Sequence, residues 1–236
     1  MELKALANHF FNLYGRRNRI FLHGLRERID FLNLAVGDLQ DAIRKTPGSR
    51  AIEIALARVV ARVFCVAEHF IALPLVETMI AKYPAGKCSY CQKFPCACPE
   101  VRPEFILEKA LYAPQHQWGL KQWCDNFAAL YGPRNKEKGI ENVLNRLFKE
   151  VSELSSLPLK VPFAKLDLDE IEKEFALELS DVLAWTIATA NVLDIDLEKA
   201  VWDRFGNGCR KCHQPQCICT HFDVDQVTWT ALTLSE

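Results

Sequence analysis

One pattern of cysteines constrains this chain more than any other feature. Cys88, Cys91, Cys96 and Cys98 read C-x2-C-x4-C-x-C, and Cys209, Cys212, Cys217 and Cys219 repeat that spacing. Each run brings four thiolates together within eleven residues, enough for a closed tetrahedral S4 site. Gly86, Pro95 and Pro99 flank the first run, and Gly206, Gly208 and Pro215 the second; such residues let a chain wrap round an ion. A disulfide framework is the competing reading, but it belongs to small secreted chains. This chain has 236 residues, and its start mixes Glu2, Lys4, Asn8 and His9 into the apolar residues where a signal peptide needs an unbroken core. Spacing alone does not separate zinc from an iron–sulfur cluster; zinc is the first reading and iron–sulfur the second. Neither run leaves an obvious open coordination position, so the ions are expected to be structural, each contributing on the order of 10 kcal/mol to folding. His213 and His221 are alternative ligands, with an exposed loop as their plainer role. Cys65 and Cys124 stand alone in helical patterns and are expected to pack as small apolar residues.

The repeat extends beyond the cysteines. At the offset of the two runs, 121 (209 − 88), Phe64 pairs with Trp185, Val66 with Ile187, Glu77 with Glu198 and Ile80 with Val201. Nearer the start of each half, Leu13-Tyr14-Gly15-Arg16-Arg17-Asn18 matches Leu130-Tyr131-Gly132-Pro133-Arg134-Asn135 at an offset of 117 (130 − 13). A repeated motif inside a repeated context implies a repeated unit. The expectation is two copies, 1–100 and 115–236, joined by a connector at 101–114 that carries Pro103 and Pro114. Periodicity of 3.6 predicts long helices over about 19–45, 50–72, 137–157 and 168–193, and shorter ones over about 3–14, 74–83, 117–131 and 196–205. A further short helix is expected near Phe105–Leu111, and the tail Asp223–Leu234 has some β-prone residues. Thr46-Pro47-Gly48-Ser49 and the stretch from Leu157-Pro158 to Pro162 read as punctuation. The fold class is all-α, helices packed in bundles. No apolar run reaches the roughly 18 residues of a membrane span. A net charge of −1 argues against a general nucleic-acid binder, so the expected setting is cytoplasmic.

Four acids sit where apolar residues are expected. Val143, Leu147, Glu150, Leu154 and Leu157 form one stripe, with Glu153 beside it. The next long helix has the stripe Glu178, Asp181, Trp185, Ala188 and Val192. Acid pairs at i, i+3 on neighbouring helices can point four oxygen ligands into one space. Buried unpaired carboxylates cost several kcal/mol, so the cluster calls for a cation, and hard oxygen ligands suit Mg2+ or Mn2+. An isolated E-x-x-E or E-x-x-D is more often a solvated helix face. The first half is an internal control. Offset 121 sets Ala57 and Val60 opposite Glu178 and Asp181; a local offset of 115 (153 − 38) sets Asp38 opposite Glu153 and Ala35 opposite Glu150. The pattern is one working site and one degenerate copy.

These residues resemble the MazG-type all-α nucleoside triphosphate pyrophosphohydrolases. That family's EExxE block corresponds to Asn142-Val-Leu-Asn-Arg-Leu-Phe-Lys-Glu-Val-Ser-Glu-Leu154, and its ExxD helix to Glu178-Leu-Ser-Asp181-Val-Leu-Ala-Trp185. An "IDLE" turn follows as Ile195-Asp-Leu-Glu-Lys-Ala200. The likeness covers about 126–208, with Lys149 standing where the family has its first Glu and the cysteine runs lying outside the family pattern. The resemblance implies Mg2+-dependent hydrolysis of a nucleoside triphosphate to the monophosphate and pyrophosphate. It implies metal ligation by Glu150, Glu153, Glu178 and Asp181, one of which orients the nucleophile. Lys149, Arg204, Asn207 and Arg210 become candidates for the phosphates and Trp185 for the base; the plainer readings are a solvent-facing lysine and a core tryptophan. The basic loop with Arg134, Lys136 and Lys138 is placed to approach the nucleotide. Family members work as dimers, so residues 1–100 are expected to act as a built-in pseudo-partner, bringing Arg16, Arg17, Asn18 and Arg19 to the working site; a further homodimer stays open. Other readings are a decayed nucleotide or protein sensor, a phosphoribosyl-ATP pyrophosphohydrolase-like enzyme, and a zinc-knuckle nucleic-acid module.

Overall fold

A computed structural model describes residues 1–70, 73–99, 113–163 and 167–220. The described residues form seven α-helices and no strand: α1 (Leu3–Phe21), α2 (Leu25–Lys45), α3 (Arg50–Ala67), α4 (Leu75–Lys82), α5 (Leu120–Lys160), α6 (Leu168–Val192) and α7 (Leu197–Phe205). Short 3-10 turns cover Pro114–Gln117 and Val161–Phe163. The all-α expectation holds. The expected helix near Phe105–Leu111 and the β-prone tail lie outside the described residues.

The helix ends depart from the expected ones for local reasons. The inward face Leu6, Phe10, Leu13 and Asn18 stays buried, so α1 continues to Phe21, and the break falls at Gly24, the N-cap of α2. Helices expected over 117–131 and 137–157 run end to end as α5. Its one interruption is Gly139, at φ 76 and ψ 168, a conformation open to glycine and strained for side-chain-bearing residues. Pro158 does not end α5, although it removes a backbone bond; buried Leu154 and Leu157 anchor the last turn to the core. At the start of α6, Asp167 accepts the Glu170 N–H at 2.8 Å and Glu170 accepts the Asp167 N–H at 3.0 Å, a reciprocal capping box.

One apolar cluster runs through both halves. It contains Leu32, Leu39, Leu56 and Val60 together with Leu147, Leu154, Leu179 and Leu183, so the amphipathic faces of α2, α3, α5 and α6 share one core. Three backbone links also cross between the halves. Glu2 pairs antiparallel with Gly119. The Cys96 N–H donates to the Leu130 carbonyl at 2.8 Å, and the Cys217 N–H donates to the Leu13 carbonyl at 2.8 Å. Each cysteine run therefore docks on the leading helix of the other half. Among the described residues no single helix is long and apolar enough to cross a membrane.

Candidate functional site

The acids converge where α5 packs on α6. Carboxylate oxygens of Glu150, Glu153 and Glu178 lie within 4.8 Å of one another. Glu150 is 8% exposed, and Glu178 Oε2 is buried with no hydrogen-bond partner. Burial, then the charge of Asp181 and the hydrogen bond with Glu153, push the Glu150 carboxyl up to about 8. Burial, then Asp181 and Glu153, raise Glu178 to about 7. Burial opposes ionisation of Glu153 too, but hydrogen bonds with Lys149 and Glu150 hold it below the usual range. Three crowded carboxyls with an orphaned oxygen fit a hard divalent cation.

Asp181 stands apart from that trio. Its carboxylate accepts Lys82 Nζ at 2.6 Å and the Tyr83 hydroxyl. Both donors follow from the end of α4, in the first half of the chain. Burial and the facing Asp181 hold the Tyr83 phenol well above its ordinary range, so it stays a donor. The expected fourth ligand is thus held by two donors from elsewhere in the chain.

A cleft of about 610 Å³, open to solvent, is lined by Glu150 and Asp181. Tyr83, Tyr90, Phe127, Tyr131 and Trp185 give it aromatic walls, and Arg134 and Asn135 line it as well. Cys88, Cys96 and Cys98 also border it, and Arg134 donates to Cys96 Sγ at 3.9 Å. The first cysteine run is therefore part of the cleft wall.

Other expected residues lie elsewhere. Arg204 and Arg210 line a separate depression with Arg50, Glu53 and Asp203. Asn207 is exposed just after α7. Arg17 and Asn18 line a second pocket with Arg58 and Glu68, and Arg19 approaches Glu68 at 3.7 Å. Helix α7, like α1, faces away from the acid cleft because its buried face, with Val201 and Phe205, packs toward α3. Lys136 pairs with Asp194 at 2.8 Å, and Lys138 is exposed. Lys149 reaches the site indirectly, through Glu153 at 2.7 Å. Lys82 and Tyr83 were missed in the sequence. The available signal was their place at the end of the short helix before the first cysteine run, where Arg204 stands before the second.

The cysteine runs fold alike. All eight are free thiols, and within each run the four sulfurs lie within 4.8 Å of one another. Cys88 and Cys98 Sγ are 3.6 Å apart, and Cys209 and Cys219 Sγ 3.8 Å. Sulfurs held tetrahedrally at ~2.3 Å from zinc sit about 3.8 Å apart, so both clusters could hold a metal ion such as zinc. Gln92 and His213 take the same left-handed conformation, φ 58 and φ 56. Their N–H groups donate to Cys88 and Cys209 carbonyls at 2.8 and 2.7 Å. His213 is thus an exposed turn residue; His221 lies outside the described residues. Burial opposes it, but the Lys93 and Ala97 N–H groups hold the Cys91 thiol down at about 7. The Ile218 N–H leads in holding Cys212 down at about 6. Both settings favour the thiolate that a metal needs. Cys65 and Cys124 are raised by burial, Cys124 to about 12, as packing thiols are.

No protein-family model, curated protein or solved structure matches this chain.

Proposed function

We propose that this protein is a cytoplasmic, Mg2+-dependent nucleoside triphosphate pyrophosphohydrolase, built as an intramolecular pseudo-dimer of two related helical units with structural zinc. The observation that carries the reading is the trio Glu150, Glu153 and Glu178, with a buried orphaned oxygen on Glu178 and with Glu150 also lining an aromatic-walled cleft. These three would hold Mg2+ (or Mn2+), which when bound offsets the charge of the triphosphate. Lys82 and Tyr83 fix the orientation of Asp181, whose carboxylate would orient a water through a remaining lone pair. Arg134 borders the cleft as a phosphate contact, and Tyr131 and Trp185 offer faces on which a base stacks.

The duplication is supported at the level of elements. Shifting α1 by 117 gives 120–138, the first segment of α5, and shifting α2 by 115 gives 140–160, its second segment. Gly24, between α1 and α2, then falls on Gly139. The Glu2–Gly119 pair joins residues equivalent under the 117 shift, as a two-fold axis between copies requires. The reciprocal docking of Cys96 on Leu130 and Cys217 on Leu13 obeys the same relation.

The test is a panel of NTPs and dNTPs with Mg2+, read by pyrophosphate release, on wild type and Glu178→Gln. Release by wild type and about a thousandfold slower release by the variant is expected. Equal release by both removes the acid trio from the reaction. One observation favours a second reading: Lys149 places its own ammonium on Glu153 at 2.7 Å, a built-in cation suited to a nucleotide sensor without turnover. Nucleotide binding with no pyrophosphate release selects that reading.

A further inference from the structure

The pocket on the first half repeats the lining of the acid cleft, with an arginine, Arg58, in the place of the carboxylate of Asp181. Phe10, Tyr14, Arg17 and Asn18 line it from α1. Their counterparts 117 residues on, Phe127, Tyr131, Arg134 and Asn135, line the acid cleft. The long helices follow suit: Arg58, Ala61, Arg62 and Cys65 on α3 match Asp181, Ala184, Trp185 and Ala188 on α6 at a common shift of 123. That register lies two residues from the shift of 121 that aligns the cysteines. It sets Arg58 in the place of Asp181 and Ala55 in the place of Glu178.

The surviving acid, Asp38, stands in the place of Glu153, and its carboxylate holds Arg58 at 2.9 Å. A fixed guanidinium thus occupies the counterpart of the metal-binding corner. Arg62 lies over the Phe31 ring at 4.9 Å and Arg17 over the Tyr14 ring at 4.1 Å, so both are held in planar, preorganised positions. Glu68 also faces the pocket, but Arg28 and Arg19 each approach it at 3.7 Å. Three arginines, Arg17, Arg58 and Arg62, and one acid, Glu68, line the pocket wall. Asn18, 2% exposed, gives its amide N–H to Glu68 at 2.9 Å. Its Oδ1 is buried with no hydrogen-bond partner, an acceptor suited to an amino or hydroxyl donor of a ligand.

We infer that this pocket is a second nucleotide site that works without a metal ion. Arg58, Arg62 and Arg17 take the phosphates that Mg2+ takes in the other cleft, and Tyr14 and Phe10 face the base. Lacking the acid trio, it holds a nucleotide without hydrolysing it. The choice of a nucleotide over a bare phosphate anion rests on the reading of the acid cleft given above.

The test is equilibrium binding of ATP, GTP, CTP, UTP and inorganic pyrophosphate to the full chain in EDTA. Wild type, Arg62→Ala, the paired change Asp38→Asn with Arg58→Met, and Glu178→Gln are compared. One nucleotide per chain is expected to bind without metal, weakened about tenfold by Arg62→Ala and unchanged by Glu178→Gln. Arg62→Ala touches a half-exposed residue, so the test stands if the paired variant fails to fold. No binding at millimolar nucleotide, or binding unaltered by Arg62→Ala, overturns the site. Pyrophosphate binding as tightly as every nucleotide overturns the base contact. Mg2+-dependent pyrophosphate release is read on the same samples. Hydrolysis without metal-free binding removes this site alone; metal-free binding without hydrolysis removes the proposed activity alone.

Discussion

Glu150 and Glu178 carry a pH dependence whose sign follows from where their protons sit. Both titrate above the ordinary carboxyl value of 4.5, at about 8 and about 7. Between those values the folded chain keeps protons that the unfolded chain has lost, so stability falls as pH rises. The contribution is complete below about pH 4.5 and gone by about pH 8. Melting curves in EDTA are expected to show that decline, and Mg2+ to reverse it on the alkaline side. Glu150→Gln should flatten it, stabilising the metal-free protein at pH 8 by about 1–3 kcal/mol, the ordinary scale of one substitution. A decline as steep in Glu150→Gln as in wild type would place the titration elsewhere. The same substitution at Glu178 is expected to lower pyrophosphate release about a thousandfold, the scale of losing a metal ligand's several kcal/mol. The acids were legible because a 3.6-residue period tells which positions face inward. Lys82 and Tyr83 were not, because their meeting with Asp181 spans 99 and 98 positions and depends on which helix packs where. Tyr83→Phe tests that contact. It removes one donor and keeps the ring, so about tenfold slower release with unchanged melting is expected.

At the scale of elements, the cysteine runs were readable to the residue, since a closed S4 site depends on local spacing and turn geometry alone. Their position was not readable: nothing in C-x2-C-x4-C-x-C says that the first run borders a cleft whose acids come from α5 and α6. Metal analysis is expected to give two zinc ions per chain. Cys91→Ser should reduce that to one and disturb substrate affinity through the wall formed by Cys96 and Cys98. The matching change Cys212→Ser should also remove one zinc and leave affinity closer to wild type, because its run docks on Leu13, away from the cleft. Equal loss of affinity in both would make the clusters purely global supports. Two helices were expected over 117–131 and 137–157, and α5 is two segments joined at Gly139, so only the place of the join differs. Gly139, at φ 76, kinks the chain there, and the segments on either side each have an apolar face to bury.

For the whole molecule, the question is whether one half works without the other. The cleft draws Glu150, Asp181, Trp185 and Arg134 from the second half but Tyr83, Tyr90 and the first cysteine run from the first, and Lys82 reaches Asp181 from the same side. The apolar cluster is likewise shared, with Leu32, Leu39, Leu56 and Val60 packed into the same body as Leu147 and Leu183. Cutting the chain would expose that surface, at roughly 25 cal/mol for each Å² of apolar area returned to water. A fragment spanning 115–236 is therefore expected to aggregate or self-associate, and to lose pyrophosphate release along with its Lys82 and Tyr83 contacts. Adding the 1–100 fragment during refolding should restore both solubility and release, because the links between the halves at Cys96, Cys217 and Lys82 are non-covalent. A 115–236 fragment that is monomeric and as active as the full chain would reduce the first half to an appendage, and with it the account of Asp181 as an acid positioned from across the molecule.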